Sequence, residues 1–261
     1  VWVENITDYG WYVMPDGRCV EGALFELDVS EPLGIIKYEP PIPACLAGVV
    51  KGAFPSCFPK TDEERCQNLT DSWNTLQQYQ YEVTEKVEGS SMSVGLVPAD
   101  DSDEFIVCSR NLNLTETEGN TLWKLARKLD LENKLRAIGH PGGVIVQGEI
   151  IGPGIQGNYY GVTDHQFYVF AVYSVGDGRY YTPVSRRELC KSLDILHTPV
   201  ITTDGSIAGM TIGDVLAAAD GKSIINPSKR REGLVYKRAD GTGGQEHFKA
   251  VSNEYLLKTD G

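Results

Sequence analysis

The residue with the clearest chemical potential in this sequence is Lys86, which lies near the middle of residues 81–92. β-Branched and polar residues alternate up to Lys86, and Gly89 follows it closely, which predicts a strand that ends in a tight turn. An amine held at the end of a strand can act as a nucleophile if part of it is neutral near pH 7. A single Lys-x-x-Gly pattern is weak evidence, so other segments must support it.

Three more ionisable residues accompany strand-like runs. Glu149 and Lys249 each interrupt an apolar run, and Glu232 immediately precedes one. If these strands share one sheet system, the two lysines and two carboxylates converge on one cleft, which is costly unless they meet a charged ligand or a metal. A triphosphate with a divalent cation satisfies both signs. Each residue alone is better explained as a surface strand residue, but the set favours a cleft.

Composition restricts how this protein could bind nucleic acid. The chain has 261 residues, of which 41% are hydrophobic and 23% are charged, and its formal net charge is -12. Binding along phosphates by bulk charge requires many lysines and arginines, so any nucleic-acid contact is predicted to be a local basic groove. Three segments qualify, although each could also be a solvated face: residues 124–128, 186–187 and 229–231.

Cysteine usage and hydropathy indicate an intracellular, soluble protein. The six cysteines form no Cys-x-x-Cys pair, so neither a zinc site nor a disulfide framework is indicated, and reduced thiols fit the cytoplasm. No apolar run approaches the length of about 18 residues that a membrane span needs. We therefore expect a cytoplasmic protein without a membrane partner.

The element pattern predicts an α+β fold rather than a doubly wound parallel sheet. Residues 1–60 are rich in proline, glycine and aromatic residues and are predicted to form an N-terminal appendage, with an extended strap at residues 38–43. A capping box at residues 61–64 predicts the start of a helix, and a second capping box at residues 185–188 predicts another. Groups of antiparallel strands alternate with these helices in residues 61–261.

Six segments in a fixed order carry a family resemblance that runs from about residue 32 to residue 258. They are residues 85–89, 108–111, 148–158, 167–170, 232–237 and 248–253. In these segments the sequence resembles the ATP-dependent RNA ligases of the covalent nucleotidyltransferase superfamily, in particular the nick-sealing phage or bacterial type. Residues 58–65 belong to the same resemblance.

The resemblance implies a fold and a reaction. The fold is an ATP-grasp-like nucleotidyltransferase domain of two antiparallel sheets flanked by helices around an ATP cleft, so residues 61–261 are expected to be an adenylyltransferase domain. Lys86 would attack the α-phosphate of ATP to form lysyl-AMP. The AMP would then pass to a 5′-phosphate, and a 3′-hydroxyl would displace it to seal the strand. Each step is a phosphoryl transfer, in which a protein mainly positions groups and neutralises charge.

The resemblance also implies roles for the other candidate residues. Glu149 would bind a ribose hydroxyl, and Phe170 would stack on adenine, unless it is plain core. Glu232 would bind or orient Mg²⁺ or Mn²⁺. The expected phosphate contacts are Lys249 and Arg110, for which the alternative role is capping a loop.

Three further residues are nucleotide-binding candidates. Glu85 would contact the base edge or simply end its strand. Lys237 would approach the nucleotide or face solvent, and so would Lys258. Related ligases often carry a second lysine two positions after the Lys249 equivalent, and Val251 stands there in this sequence. The remaining phosphate contact is therefore assigned to Lys258.

The expected partner is nicked or broken RNA, in an RNA–RNA or RNA–DNA duplex, and the expected role is RNA repair by a monomer in the cytoplasm, including that of a phage-infected host. Two alternatives remain within the enzyme class: a DNA ligase and a capping-type guanylyltransferase that uses the same lysine. A third alternative is a non-catalytic nucleic-acid-binding module that keeps the fold.

Overall fold

The computed structural model describes residues 48–99, 103–241 and 247–259, together with the backbone of three strands nearer the N-terminus. The chain separates into two compact units, residues 1–47 and 48–261. In the first unit, strands β1 (Ile6–Val13), β2 (Cys19–Phe25) and β3 (Ile36–Lys37) form an antiparallel sheet with β1 in the centre. The strap predicted at residues 38–43 lies outside the described residues.

Within its described residues, the second unit contains twelve strands in two sheets. The strands are β4 (Val50–Ala53), β5 (Glu64–Arg65), β6 (Gln80–Lys86), β7 (Ser90–Val97), β8 (Glu104–Cys108), β9 (Leu112–Leu114), β10 (Val144–Ile151), β11 (Gln166–Ser174), β12 (Arg179–Tyr180), β13 (Val200–Ser206), β14 (Gly233–Arg238) and β15 (Phe248–Val251). The seven-stranded sheet has the order β12-β11-β10-β7-β8-β9-β4, and the five-stranded sheet has the order β13-β6-β14-β15-β5. Strand β5 joins β15 in parallel, whereas the other pairs of the five-stranded sheet are antiparallel.

Helices flank the two sheets. They are α1 (Trp73–Leu76), α2 (Thr121–Lys128), α3 (Leu131–Ile138), α4 (Pro183–Ser192), α5 (Ile212–Ala219) and α6 (Asn253–Thr259). The predicted α+β class, with two sheets flanked by helices, is thereby confirmed.

Each sheet buries one face against helices. Met92 of β7 packs with Trp123 of α2 and Leu131 of α3 in one core cluster. Trp73 of α1 and Val215 of α5 pack in a second cluster, beneath the five-stranded sheet. Because successive strand residues point to opposite faces, the residues that alternate with these core positions are available to line a cleft.

The predicted division near residue 60 differs from the observed packing. Strand β4 pairs with β9 at the edge of the seven-stranded sheet, and Phe58 is buried against Ile145 and Cys108. Residues 48–60 therefore pack as part of the larger unit.

The prediction that a helix begins at the capping box, residues 61–64, was wrong. Residues Glu64–Arg65 form β5, a 3-10 turn follows at Cys66–Asn68, and a short α-helix begins only at Trp73. Pairing with β15 keeps Glu64 and Arg65 extended, which prevents a helix there. Cys66 of the 3-10 turn and Trp73 of the short helix are nevertheless buried in the core.

The second capping box was placed a few residues too late. Helix α4 begins at Pro183, and its N-cap is Thr182, whose side chain accepts the Ser185 N–H. Proline at the first helical position needs no hydrogen-bonded N–H, so the cap falls directly before it. Residues 186 and 187 consequently lie within the helix and not in its first turn.

Candidate active site

An open cleft of about 500 Å³ lies between residues of the two sheets. Strands β6, β14 and β15 contribute from the five-stranded sheet, and β7, β10 and β11 contribute from the seven-stranded sheet. Seven of the residues predicted from the sequence line it: Glu85, Lys86, Arg110, Glu149, Phe170, Lys237 and Lys249.

Lys86 is held at the end of β6 by close contact with β14. Gly233 is its register partner, and a Cβ atom at Gly233 would lie 2.2 Å from the Ala250 carbonyl oxygen, so only glycine allows the strands to pack this way. This register brings Glu232 beside the lysine. The Lys86 Nζ donates to Glu232 Oε1 at 2.5 Å, and the lysine side chain is 26% exposed. The amine is therefore fixed yet accessible from the cleft.

The turn after Lys86 is fitted against β10. A Cβ atom at Gly89 would lie 2.3 Å from the Ile150 carbonyl oxygen and 3.0 Å from the Glu149 side chain. The glycine of the Lys-x-x-Gly pattern thus allows the close approach that brings the lysine turn next to Glu149.

Several carboxylates crowd the lysine. Burial raises the pKa of Glu149 to about 8, and the nearby Lys86 charge opposes that shift. Burial likewise raises the pKa of Glu232 to about 7, with Lys86 again opposing and the charge of Glu88 adding to the rise. Perturbed carboxyl groups around one amine in a cleft are typical of a functional site, because this protein alone does not balance their charge.

Cationic side chains line the other walls. Lys249 projects from β15, and its pKa is lowered by burial and by the Lys86 charge. Arg110 follows β8 and forms an exposed ion pair with Asp62 at 2.6 Å. These two groups can meet an anion that enters the cleft between them and Lys86.

Lys237 does not face solvent, so that alternative was wrong. It is 6% exposed, and its Nζ lies 3.1 Å from Glu63 Oε1 and 5.6 Å from the centre of the Phe170 ring. Burial lowers its pKa, and the Glu63 charge opposes that shift. The backbone of Lys258 lies in α6, but its side chain is outside the described residues.

Phe170 lines the cleft from β11 and is half-buried, so it is not plain core. Glu85 also borders the cleft, but its Oε2 accepts the Ile224 N–H at 2.7 Å. Burial raises the pKa of Glu85, and hydrogen bonds to Ser223 and Ile224 oppose this. The Glu85 carboxylate therefore holds the loop at residues 221–231 instead of reaching toward the centre of the cleft.

Some lining residues were not singled out from the sequence. They are mainly polar: Thr61, Asp62, Glu63, Ser91, Ser109, Asn111, Gln156 and Thr198. Gln156 lies inside one of the six resembling segments and has a left-handed backbone, with φ of 43°. Glu63 lies in the region first interpreted as a helix start, so its ion pair with Lys237 was not predicted.

The family model for RNA ligases matches residues 79–251 of this chain. This range includes the strands that carry Lys86, Glu149, Phe170 and Lys249. The chain belongs to the RNA ligase family. Most of the candidate active site therefore lies inside the matched segment, whereas the lining residues Thr61, Asp62 and Glu63 precede it.

Solved RNA ligases share both fold and sequence with this family member. A variant of the Naegleria gruberi RNA ligase with ATP and Mn is 37% identical, with 96% of this chain and 76% of that chain covered and a TM-score of 0.74. The same ligase with PPi is 38% identical, with 95% and 76% covered and a TM-score of 0.74. A variant with AMP and Mn is 38% identical, with 95% and 75% covered and a TM-score of 0.73.

Two further findings complete the comparison for this RNA ligase family member. No curated protein sequence matches the chain. Within the described ranges, none of its helices combines the length and apolarity needed to cross a membrane.

Proposed function

We propose that this chain is an ATP-dependent RNA ligase that joins 3′-hydroxyl and 5′-phosphate ends through Lys86. The observation that carries the proposal is the Lys86 amine, fixed 2.5 Å from Glu232 in a cleft that also contains Glu149, Phe170 and Lys249. Membership of the RNA ligase family supports the RNA substrate, and the Naegleria structures with ATP, AMP and PPi support the nucleotide.

The reaction divides into three phosphoryl transfers. Lys86 Nζ attacks the α-phosphorus of ATP, a P–N bond forms, and pyrophosphate leaves. A 5′-phosphate oxygen of the RNA then attacks the same phosphorus, which breaks the P–N bond and gives a 5′-adenylylated end. Finally the 3′-hydroxyl attacks the RNA phosphorus, the phosphodiester forms, and AMP leaves. The chain contributes mainly position and charge to each transfer.

Glu232 is placed to handle the proton of the nucleophile. Its Oε1 already accepts a hydrogen bond from Lys86 Nζ, and burial raises its pKa to about 7. A carboxyl group that titrates near neutral pH can both take up and return a proton. Glu232 would therefore accept a proton from the Lys86 ammonium before attack, and return it when the P–N bond breaks.

The remaining lining residues would orient the nucleotide. Glu149 would accept a hydrogen bond from a ribose hydroxyl, and Phe170 would stack on the base. Lys249 and Arg110 would neutralise phosphate oxygens, and Lys258 is a further candidate for this role. Lys237, held by Glu63 beside the Phe170 ring, would position that ring.

The side chains present also fit a divalent cation, either Mg²⁺ or Mn²⁺. No three His, Cys, Asp or Glu side chains in the described part of the chain could hold a metal ion on their own. Magnesium usually binds one or two carboxylates together with substrate phosphates, and Glu232 with the neighbouring Glu88, whose charge raises the Glu232 pKa, provides two. When bound, the ion would neutralise charge on the transferred phosphate.

A labelling experiment tests the nucleophile and the nucleotide together. The protein is incubated with α-labelled ATP or GTP and a divalent cation, and is then denatured and separated by electrophoresis. We expect a covalent label from ATP that is lost in Lys86→Ala and retained in Lys191→Ala, since Lys191 is an exposed residue of α4. A label from GTP alone would favour the capping enzyme. The absence of any label would favour the non-catalytic module.

Sealing assays test the RNA assignment separately. Nicked duplexes that differ only in the sugars beside the break distinguish RNA from DNA ligases, because the 2′-hydroxyl is the group that differs. We expect sealing to require a 2′-hydroxyl on the strand that provides the 3′-hydroxyl. Equal sealing of an all-DNA nick would favour the DNA ligase alternative.

A further inference from the structure

Two of the three basic segments in the sequence are unavailable for RNA. Arg186 and Arg187 form ion pairs with Glu82, and Arg186 is only 3% exposed. Arg127 of α2 pairs with two glutamates, and α2 packs on the face of the seven-stranded sheet that carries Met92, whereas Ser91 of the opposite face lines the cleft. Residues 186–187 are therefore engaged in ion pairs with the buried Glu82, and residues 124–128 lie away from the reacting groups.

The third segment forms the neck of a closed loop, residues 221–231. Lys222 and Arg230 are partners in an antiparallel β-bridge, and the Ser223 N–H donates to the Lys229 carbonyl at 3.0 Å. Arg231 points elsewhere, since its guanidinium donates to carbonyls at the end of α5. The neck therefore brings Lys222, Lys229 and Arg230 together, although they lie up to eight positions apart in the sequence.

Hydrogen bonds fix this neck beside the nucleophile strand. The Tyr159 hydroxyl donates to the Arg230 carbonyl at 2.7 Å, and the ring of Tyr159 packs on that of Tyr160 with centroids 5.3 Å apart. The Tyr160 hydroxyl accepts the Glu88 N–H at 2.9 Å, two residues after Lys86. The basic neck is thus connected to the Lys86 turn through two aromatic residues.

The charges at the neck differ in how far they are neutralised. Arg230 pairs with Glu254, whereas Lys222 and Lys229 are exposed and have no carboxylate partner among the described residues. The Lys229 Nζ lies 5.6 Å from the centre of the Tyr159 ring, which holds the ammonium at the surface. Lys222 and Lys229 are thus two exposed cations on a loop that is connected to the Lys86 turn, in a chain whose net charge is -12.

We propose that Lys222 and Lys229, with Tyr159 supporting Lys229, form the docking surface for the sugar–phosphate backbone of the RNA strand whose end is joined. This inference rests on the proposed RNA ligase function and identifies where its polynucleotide substrate binds. Exposed lysines bind phosphates as point charges and make the affinity depend on salt. The surface serves the two steps that involve RNA and takes no part in the reaction with ATP.

The test compares two double variants of equal charge change. Lys222→Glu/Lys229→Glu alters the docking surface, and Lys124→Glu/Lys191→Glu alters exposed lysines on α2 and α4. RNA affinity is measured by fluorescence anisotropy with a labelled nicked RNA duplex over a series of salt concentrations, and covalent labelling by ATP is measured without RNA. For the docking variant we expect affinity to fall about tenfold or more and the slope of log K against log salt to become shallower by about 2, one for each lost phosphate contact.

The expected result also requires that both variants keep ATP labelling within about twofold and that the control keeps wild-type RNA affinity. The milder variant Lys222→Ala/Lys229→Ala should show the same change of slope, which protects the test against misfolding of the charge-reversed protein. Equal loss in both charge-reversed variants, or unchanged slope in the docking variants, would overturn the proposal. If the wild type neither takes a label nor binds RNA, the ligase function itself fails, which is a separate outcome.

Discussion

Glu82 and Lys86 lie four residues apart on the same face of strand β6, and each is the centre of a charged cluster. The cluster around Glu82 is buried, whereas the cluster around Lys86 is open to the cleft. Glu82 is fully buried and is held by Arg186 and Arg187 of α4. His197 supports the cluster, since its Nε2 accepts the Arg186 Nε–H at 2.9 Å. Lys86, by contrast, opens onto the cleft and faces more carboxylates than it can neutralise.

The difference in burial distinguishes the Glu82 cluster, whose ion pairs are structural, from the Lys86–Glu232 pair, which is exposed to a substrate. In the Glu82 cluster the protein provides the compensating cations, and burial beside Arg186 lowers the pKa of His197 to about 3, which keeps that ring neutral. Around Lys86, burial raises the pKa values of Glu149 and Glu232 by more than the Lys86 charge lowers them, so the chain compensates these carboxyl groups only in part. A closed cluster anchors α4 to the strand, whereas an open one leaves room for the charges of a substrate.

The largest expected effect comes from breaking the closed cluster. Glu82→Ala leaves two arginines without their carboxylate, one of them deeply buried, and breaking a buried pair in this way typically costs about 3–5 kcal/mol. We expect that loss in the free energy of unfolding, measured by urea denaturation. The control is Glu116→Ala, whose partner Arg127 is half-exposed, and it should cost less than about 1 kcal/mol. Equal losses of unfolding free energy in the two variants would show that the buried Glu82 cluster stabilises the fold no more than an exposed ion pair does.

Removing a carboxylate from the open cluster should affect chemistry more than stability. Glu232→Gln removes the proton acceptor of Lys86, so we expect covalent labelling by ATP to slow by about 100-fold, the lower end of a general-base contribution. The unfolding free energy should fall by less than about 1 kcal/mol, because a crowded carboxylate is lost along with its ion pair. Single-turnover labelling and urea denaturation measure the two quantities. A stable variant that labels at the wild-type rate would refute the assigned role.

A smaller effect concerns pH. Because the folded state raises the pKa of Glu149 to about 8, it binds more protons than the unfolded state between the ordinary carboxyl pKa and about 8. The contribution of Glu149 to stability is therefore full at low pH and is lost as pH rises through that range. Glu149→Gln should become more stable relative to wild type on going from pH 5 to pH 8, by at least about 1.4 kcal/mol, the equivalent of one pKa unit. An unchanged difference at the two pH values would show that Glu149 titrates normally.

Most of the site could be predicted from the sequence because its residues lie in strands with strong local patterns. The apolar run around Glu149 forms strand β10, as predicted, and Phe170 of the resembling segment 167–170 lies in β11. The family resemblance then grouped these strands with Lys86, Glu232 and Lys249, which no local pattern could have done.

The parts that failed depend on partners far away in the sequence. Glu64 and Arg65 are extended because β15 pairs with them, although their local sequence favours a helix start. Arg186 is 104 positions from Glu82, so nothing in its own segment distinguishes a buried ion pair from a nucleic-acid contact. The extended backbone of Glu64 and Arg65 and the burial of Arg186 both depend on tertiary pairing, which the local sequence does not contain.

The most direct test of the account is to locate the AMP on the protein. The chain is incubated with ATP and a divalent cation, digested under conditions that preserve the P–N bond, and mapped by mass spectrometry. We predict one AMP on the peptide that contains Lys86, and its disappearance when a 5′-phosphorylated RNA nick is added. An AMP attached to any other residue, or one that RNA does not remove, would contradict the assignment of Lys86 as the ligase nucleophile.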